Sequence, residues 1–279
     1  MCDDDKKKTR SLLLKPKTDL ALQSTNLVSR GLDLARQLSL NSVSGLRKAA
    51  EQGFVLAQYN LGVMYENGIE VSRDHNEALK WYRKAAEQGL AEAENSLGFM
   101  YYSGAGVPRD YGEAIKWYQK AAEHEFAEAE FNVGFMYDNG RGVTRDYREA
   151  IKWYQKAAEQ GFAAAQYNLG VMYDKGKGVS QDYNEALKWY NKAAEQRLAE
   201  AEFNVGFMYD NGRGVTRDYS EAIKWYRKAA EQGIAAAQYN LGVMYENGKG
   251  VPRDRDEALK WYNRAAQQGF IEARGMRRL

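Results

Sequence analysis

Residues 161–196 read GFAAAQYNLGVMYDKGKGVSQDYNEALKWYNKAAEQ, and this stretch decides the fold. In its first half Ala165, Leu169, Met172 and Tyr173 fall within about 100° of one helix face at 3.6 residues per turn. Gly176 then fits the left-handed position that ends a helix. The second half starts at Asp182 and puts Ala186, Trp189, Tyr190, Ala193 and Ala194 on one face. Lys188, Asn191, Lys192 and Glu195 take the other face, toward water. The stretch is two helices joined by a glycine-rich loop, and it cannot bury both its apolar faces alone.

The same unit recurs along the chain. All six tryptophans stand 36 residues apart, at 81, 117, 153, 189, 225 and 261. Units that each leave apolar faces uncovered stack into a solenoid, whose long repeated surfaces suit binding better than chemistry. The second helix is announced six times, by Asp74/Glu77, Asp110/Glu113, Asp146/Glu149, Asp182/Glu185, Asp218/Glu221 and Asp254/Glu257. This is the spacing of a capping box, in which Asp accepts from the N3 amide and Glu reaches back to the cap amide. Capping accounts for all six pairs, so they are not read as catalytic carboxylates. Between the helices lies G-x-G-V, as in Gly140-Arg141-Gly142-Val143, whose glycines supply positive φ angles. It is not a phosphate loop, because no strand precedes it and no Gly-Lys-Ser/Thr follows. Glu70 replaces the second glycine in the first copy, which predicts a loop strained by about 1 kcal/mol or a different turn. Between copies, Glu125 and Arg197 stand in a column otherwise held by Gly53, Gly89, Gly161, Gly233 and Gly269. That turn can therefore be made without glycine. Paired alanines such as Ala193 and Ala194, with Gly170, allow backbones to approach, and each Trp is assigned the task of locking copies together.

The constellation A-x-x-x-L-G-x-M-Y, G-x-G-V and D-x-x-E-A-x-K-W-Y-x-x-A-A resembles the Sel-1-like repeat family of the tetratricopeptide-like superfamily. Here it is Ala165, Leu169-Gly170, Met172-Tyr173, Gly176/Gly178-Val179 and Asp182 through Ala194, and it recurs over roughly residues 54–269. The resemblance implies an all-α, right-handed αα-hairpin solenoid that serves as an adaptor or scaffold. Unlike secreted bacterial relatives, this chain has no paired cysteines in its repeats, and the signal and membrane anchor of relatives in endoplasmic-reticulum degradation complexes are not expected here. Neither pathway is carried over.

The expected division is a disordered tail at 1–18, a helical cap and half-repeat at 19–52, six repeats at 53–269 and a truncated helix at 270–279. Residues 44–52, SGLRKAAEQ, align with the end of a second helix, with Gly45 at the Trp position, and a preceding helix is expected within residues 19–40. At the far end Arg277 and Arg278 replace the Leu-Gly pair, which would stop further stacking. A net charge of +2 and 28% charged residues give no broad field for nucleic acid or anionic membrane. The one cysteine, Cys2, lies in the tail, so no disulfide framework exists. The opening MCDDDKKK is charged where a secretory signal is apolar, and Leu12-Leu13-Leu14 is too short to span a membrane. The location expected is cytoplasmic, with the nucleus also open to the chain.

The first helix carries more apolar residues than one core face needs. One column reads Tyr59, Asn95, Phe131, Tyr167, Phe203 and Tyr239, and the next reads Val63, Phe99, Phe135, Val171, Phe207 and Val243. The equivalent face lines the peptide groove in tetratricopeptide relatives. On that reading the groove is an aromatic–aliphatic stripe edged by Glu66, Asp138, Asp174, Asp210 and Glu246, and the alternative is that stacking buries the same side chains. An amide column, Asn60, Asn132, Asn168, Asn204 and Asn240 with Ser96 in the second copy, runs beside it. An amide binds a peptide backbone through both donor and acceptor, or equally a neighbouring loop carbonyl. Copies three and five differ at only two of 34 positions, Arg148/Ser220 and Gln155/Arg227. Such repetition suits a long or multivalent partner better than a unique catalytic residue.

The partner expected is a protein or peptide segment with apolar anchors; no nucleic acid, membrane, metal or cofactor is expected. His75 and His124 replace a tyrosine and a glutamine in their columns, and no Ser-x-x-Lys supports the penicillin-interacting hydrolase activity suggested for some relatives. RNA binding by helical repeats is the other alternative. It calls for a basic groove, where this chain places aromatics and acids.

Overall fold

The computed structural model describes residues 43–275, and it shows fourteen helices and no strand among them. They are α1 (Val43–Glu51), α2 (Val55–Asn67), α3 (His75–Ala86), α4 (Ala91–Ser103), α5 (Tyr111–Glu123), α6 (Ala127–Asn139), α7 (Tyr147–Glu159), α8 (Ala163–Lys175), α9 (Tyr183–Glu195), α10 (Ala199–Asn211), α11 (Tyr219–Glu231), α12 (Ala235–Asn247), α13 (Arg255–Gln267) and α14 (Ile271–Gly275). Six 36-residue repeats each contribute one even-numbered and one odd-numbered helix, from α2/α3 to α12/α13. The chain divides into two units, whose described parts are residues 43–162 and 163–275. Within each unit successive hairpins stack. The half-repeat expected at 44–52 is helix α1, which buries Leu46 and Ala50. The tail at 1–18, the helix expected within 19–40, Cys2 and the Arg277/Arg278 pair lie outside the described residues.

Each odd-numbered helix from α3 to α13 begins on its aspartate. The Asp side chain accepts from the amide three residues on, as in Asp182 with Glu185 at 3.1 Å. The expected second half of the capping box is corrected. The cap amide donates instead to a tyrosine carbonyl of the preceding helix, Asp74 to Tyr65 at 2.9 Å and Asp182 to Tyr173 at 3.0 Å, for example. With that donor taken, the glutamates turn outward to Lys three residues later, at 2.8 Å for Glu113–Lys116 and 2.7 Å for Glu149–Lys152. The cap thus ties the two helices of a hairpin together as well as starting the second.

Inside each hairpin the closest contact is a glycine against a tyrosine. A Cβ added to Gly62, Gly98, Gly134, Gly170, Gly206 or Gly242 would lie 2.5–2.8 Å from the ring of Tyr82, Tyr118, Tyr154, Tyr190, Tyr226 or Tyr262. These six tyrosines are 0–2% exposed, more deeply buried than the tryptophans beside them. Trp81, Trp189 and Trp261 are buried, whereas Trp117, Trp153 and Trp225 are half-covered. In those last three copies Ile115, Ile151 and Ile223 are buried two residues earlier; Leu79, Leu187 and Leu259 elsewhere stay half-exposed. Trp117 and Trp153 lie against apolar clusters that run from the repeat before their own into the first helix of their own repeat, as does Trp225 in the second unit. Their outer faces carry a cation from the next turn, such as Lys120 at 4.2 Å from Trp117 and Lys228 at 3.8 Å from Trp225.

The two glycine columns answer to different physics. Between copies Gly53, Gly89, Gly161, Gly233 and Gly269 have nothing within 4 Å of an added Cβ, so only backbone conformation selects them. Glu125 and Arg197 adopt the same left-handed angles, φ 55° and 64°, at the strain a side chain suffers there. The second glycine of G-x-G-V has a further constraint. A Cβ on Gly106, Gly142, Gly214 or Gly250 would fall within 3 Å of the first residue of the odd-numbered helix in the preceding repeat. Glu70 takes the same left-handed turn, with φ 57°, and is exposed.

Candidate functional site

The stripe predicted on the first helices divides by depth. Tyr59, Phe131, Tyr167 and Phe203 are 0–5% exposed, each packed at a tilt against the buried tyrosine of its own hairpin at 5.6–5.7 Å between ring centres. Asn95 is likewise buried. This column belongs to the packing between helices, the second of the two readings that its pattern left open. The reason is that the even-numbered helices are covered from several sides, by their hairpin partner and by their neighbours in the stack. Tyr239, near the C-terminal end, is half-exposed and packs on Tyr262 and Phe270.

The second column is nearer the surface. Phe99, Phe135, Val171 and Val243 are half-exposed, and Val63 and Phe207 are buried. The amide column lies deeper: Asn60, Asn132, Asn168 and Asn204 are buried and Asn240 is half-exposed. Asn132 donates to Asn95 at 2.9 Å, and Asn95 donates to Glu128 at 3.3 Å. Burial pushes the Glu128 carboxyl up to about 7, opposed by the Asn95 amide. Among the described residues Asn60 Nδ2, Asn132 Oδ1 and Asn168 Oδ1 have no hydrogen-bond partner, while the Asn204 amide lies against the buried hydroxyls of Tyr167 and Tyr190. Buried polar atoms without partners are uncommon and call for an explanation.

The acids at the edge of the stripe have partners of two kinds. Tyr82 donates to Glu66 at 2.6 Å, Tyr226 to Asp210 at 3.2 Å and Tyr262 to Glu246 at 2.7 Å, each acid serving the buried tyrosine of its own hairpin. Tyr154 donates to Asp138 at 3.5 Å, a long contact. Asp174, which is buried, lies instead 3.8 Å from Arg213 of the following repeat. Tyr102 occupies the acid's place in the second repeat, and the Tyr118 hydroxyl there is left without a partner. Burial raises the Glu66, Asp174 and Asp210 carboxyls, while Arg213 pulls Asp174 down and Lys249 pulls Asp210 down.

Two constellations went unread in the sequence. One joins residues 30 apart: Gln88 donates to Gln58 at 2.7 Å, Gln160 to Glu130 at 2.7 Å, and Gln196 to Gln166 at 2.9 Å. His124 takes the glutamine's place opposite Glu94, at 3.5 Å. The other is the residue between the loop glycines. Arg141 lies over Tyr102, Tyr111 and Phe135 at 5.2–5.8 Å, and Arg213 over Tyr183 and Phe207 at 5.4 and 5.1 Å. Basic residues at 141, 177, 213 and 249, on the same 36-residue ruler, were the available signal.

This arrangement binds and stacks; among the described residues no group of three or more His, Cys, Asp or Glu side chains is placed to hold a metal ion. No helix among them is long and apolar enough to cross a membrane. A family model described as the Sel1 repeat matches residues 55–90, 91–126, 127–162, 163–198, 199–234 and 235–270. The chain is similar to c5321, a protective antigen present in uropathogenic Escherichia coli strains and displaying an SLR fold, with 35% identity and a TM-score of 0.81. The similarity covers 91% of this chain but 57% of that one, so this chain spans little more than half of that relative. A Sel1 repeat protein from Oxalobacter formigenes is 32% identical with a TM-score of 0.71, over 85% of this chain and 96% of that one. No curated protein matches. With six contiguous matches and both structural likenesses, the chain belongs to the Sel1 repeat family of αα-hairpin solenoids, which generally serve protein–protein interaction rather than catalysis.

Proposed function

We propose that this chain is a non-enzymatic adaptor that holds a protein segment along the even-numbered helices of each unit, with the half-exposed second column as its line of contact. The observation that carries this reading is that Phe99, Phe135, Val171 and Val243 keep half-exposed apolar side chains at one position of the even-numbered helices, repeated on the 36-residue ruler. In residues 43–162 the line is Phe99 and Phe135; in residues 163–275 it is Val171 and Val243. Apolar side chains of an extended segment would rest on the column. The odd-numbered helices, by contrast, show water a ladder of Glu–Lys pairs, the ordinary surface of a solvated helix.

The test is a paired comparison on the full chain. Phe99→Glu with Phe135→Glu should abolish capture of native partners while the melting temperature stays within a few degrees. Lys116→Glu with Lys152→Glu, on the outer helices, should leave capture intact. Capture that survives the first pair and fails with the second would move the contact surface to the outer helices and end this reading.

A further inference from the structure

The residue between the two loop glycines reads Ile69, Ala105, Arg141, Lys177, Arg213 and Lys249. Its backbone is placed alike from the second repeat on. The glycines on either side hold φ between 62° and 81°, and in the second, third, fifth and sixth repeats the second glycine abuts the opening residue of the preceding odd-numbered helix. In those four repeats a side chain at this position therefore leaves the loop in one direction, toward the preceding repeat. In the third and fifth repeats an arginine fills that space, as described for Arg141 and Arg213. In the sixth a lysine does so, Lys249 lying 5.7 Å from the Tyr219 ring.

The second repeat stops at a methyl group. Around the space its neighbours would fill stand Glu66, His75, Phe99 and Ala105, the counterparts of Asp174, Tyr183, Phe207 and Arg213. Glu66 accepts from Tyr82, yet among the described residues it is in no ion pair with a lysine or arginine. His75 Nδ1 is buried with no hydrogen-bond partner. Phe99 is half-exposed, without the guanidinium that covers Phe135 and Phe207. The chain also states which cation suits such a place. Where the second column is Phe135 or Phe207 the loop residue is arginine, and where it is Val171 or Val243 the loop residue is lysine. A planar guanidinium stacks on an aromatic face and an ammonium does so less well, so Phe99 calls for arginine.

We infer that the cleft between the first and second repeats receives an arginine side chain from a partner polypeptide, its guanidinium lying on Phe99 beside the Glu66 carboxylate. The site supplies in trans what Arg141 and Arg213 supply in cis. It would give a bound segment its register, with one fixed basic anchor in a line of apolar contacts. The inference rests on the adaptor reading only in assigning the arginine to a polypeptide.

The experiment titrates acetyl-Gly-Arg-Gly-amide, and the same peptide with neutral citrulline, into the isotope-labelled full chain and follows amide shifts by NMR. Saturable shifts at Glu66, His75, Phe99 and Ala105 are expected with arginine, about tenfold weaker with citrulline, the size of one charge-assisted pair. Glu66→Gln, which keeps an acceptor for Tyr82, should weaken arginine binding by a similar factor. Ala105→Arg should fill the cleft from within, abolish the shifts and raise the melting temperature by about 2 °C. Absence of saturable shifts in the parent chain, equal binding of the two peptides, or binding that survives Ala105→Arg would each overturn the assignment. A chain that captures its partner through Phe99 and Phe135 yet ignores the arginine peptide refutes the cleft alone and leaves the adaptor reading standing.

Discussion

Adding one methyl group at Gly170 should loosen the whole fourth hairpin. Its Cβ would sit 2.5 Å from Tyr190 Cδ1 and 2.6 Å from Cε1, against the 3.4–4 Å of ordinary contact. The ring must therefore retreat by about 1 Å, and a close-packed interior resists such a shift. It has little room, being buried and packed against the Tyr167 ring at 5.7 Å. Overpacking of this kind costs about 1–3 kcal/mol, and two short contacts with one rigid ring place this case at the upper end. Replacing glycine by alanine within a helix returns about 1 kcal/mol. The net loss is about 2 kcal/mol, or about 4–8 °C in melting temperature for a chain of this length. Thermal melts followed by circular dichroism at 222 nm would read it. The decisive comparison is Gly170→Ala made together with Tyr190→Leu, because Leu46 holds the tyrosine's place in the N-terminal half-repeat. In that background the added methyl should cost nothing. If Gly170→Ala alone leaves the melting temperature unchanged or raises it, the glycine–tyrosine contact does not set the hairpin spacing.

Other outcomes follow from single residues. Glu125→Gly and Arg197→Gly should each gain about 1 kcal/mol by relieving left-handed strain in open space, measured by urea unfolding; a loss would mean that those side chains make contacts worth more than the strain. Tyr118→Phe should be neutral or stabilising, since its hydroxyl is buried without a partner, while Tyr82→Phe, which removes a hydrogen bond to Glu66, should cost about 1.5 kcal/mol. Equal effects of those two changes would contradict the assigned hydroxyl partners. Glu128 supplies the pH dependence: its carboxyl is raised by burial from 4.5 to about 7, so the folded state holds the proton more firmly than the unfolded chain. The ionisation penalty is absent below pH 4.5, grows between 4.5 and 7, and is complete above 7. Because the side chain is partly exposed, water reduces that penalty to about 1–2 kcal/mol, and Glu128→Gln should raise the melting temperature at pH 8 but not at pH 4.5.

The period, the helix boundaries and the aspartate caps were legible because each depends on neighbours in sequence. Asp182 caps α9 whatever stands beyond it. The glutamate half of the cap was not legible, since the competing acceptor, Tyr173 O, belongs to another helix. Tyr190 and Trp189 are adjacent and both apolar, and only the glycine opposite Tyr190 shows which one is sealed in. The same limit applied to the stripe. A helix apolar on several sides looks alike whether a neighbour or a ligand covers it, so Tyr167 and Val171 could not be ranked until their depths were known. The pairing of arginine with phenylalanine and of lysine with valine was present in the letters. It acquired meaning only when Arg141 was found over Phe135.

Site-specific photo-crosslinking tests the functional account most directly. A benzoylphenylalanine placed at Phe99 and, separately, at Lys116 of α5 would be activated in cells that make the protein, and the crosslinked segments mapped by mass spectrometry. The account predicts one recurrent segment from position 99, carrying an arginine within a few residues of the crosslink, lost when Ala105→Arg is added, and no such segment from position 116. Equal crosslinking from both positions, or a segment at position 99 that lacks an arginine and persists with Ala105→Arg, would contradict it.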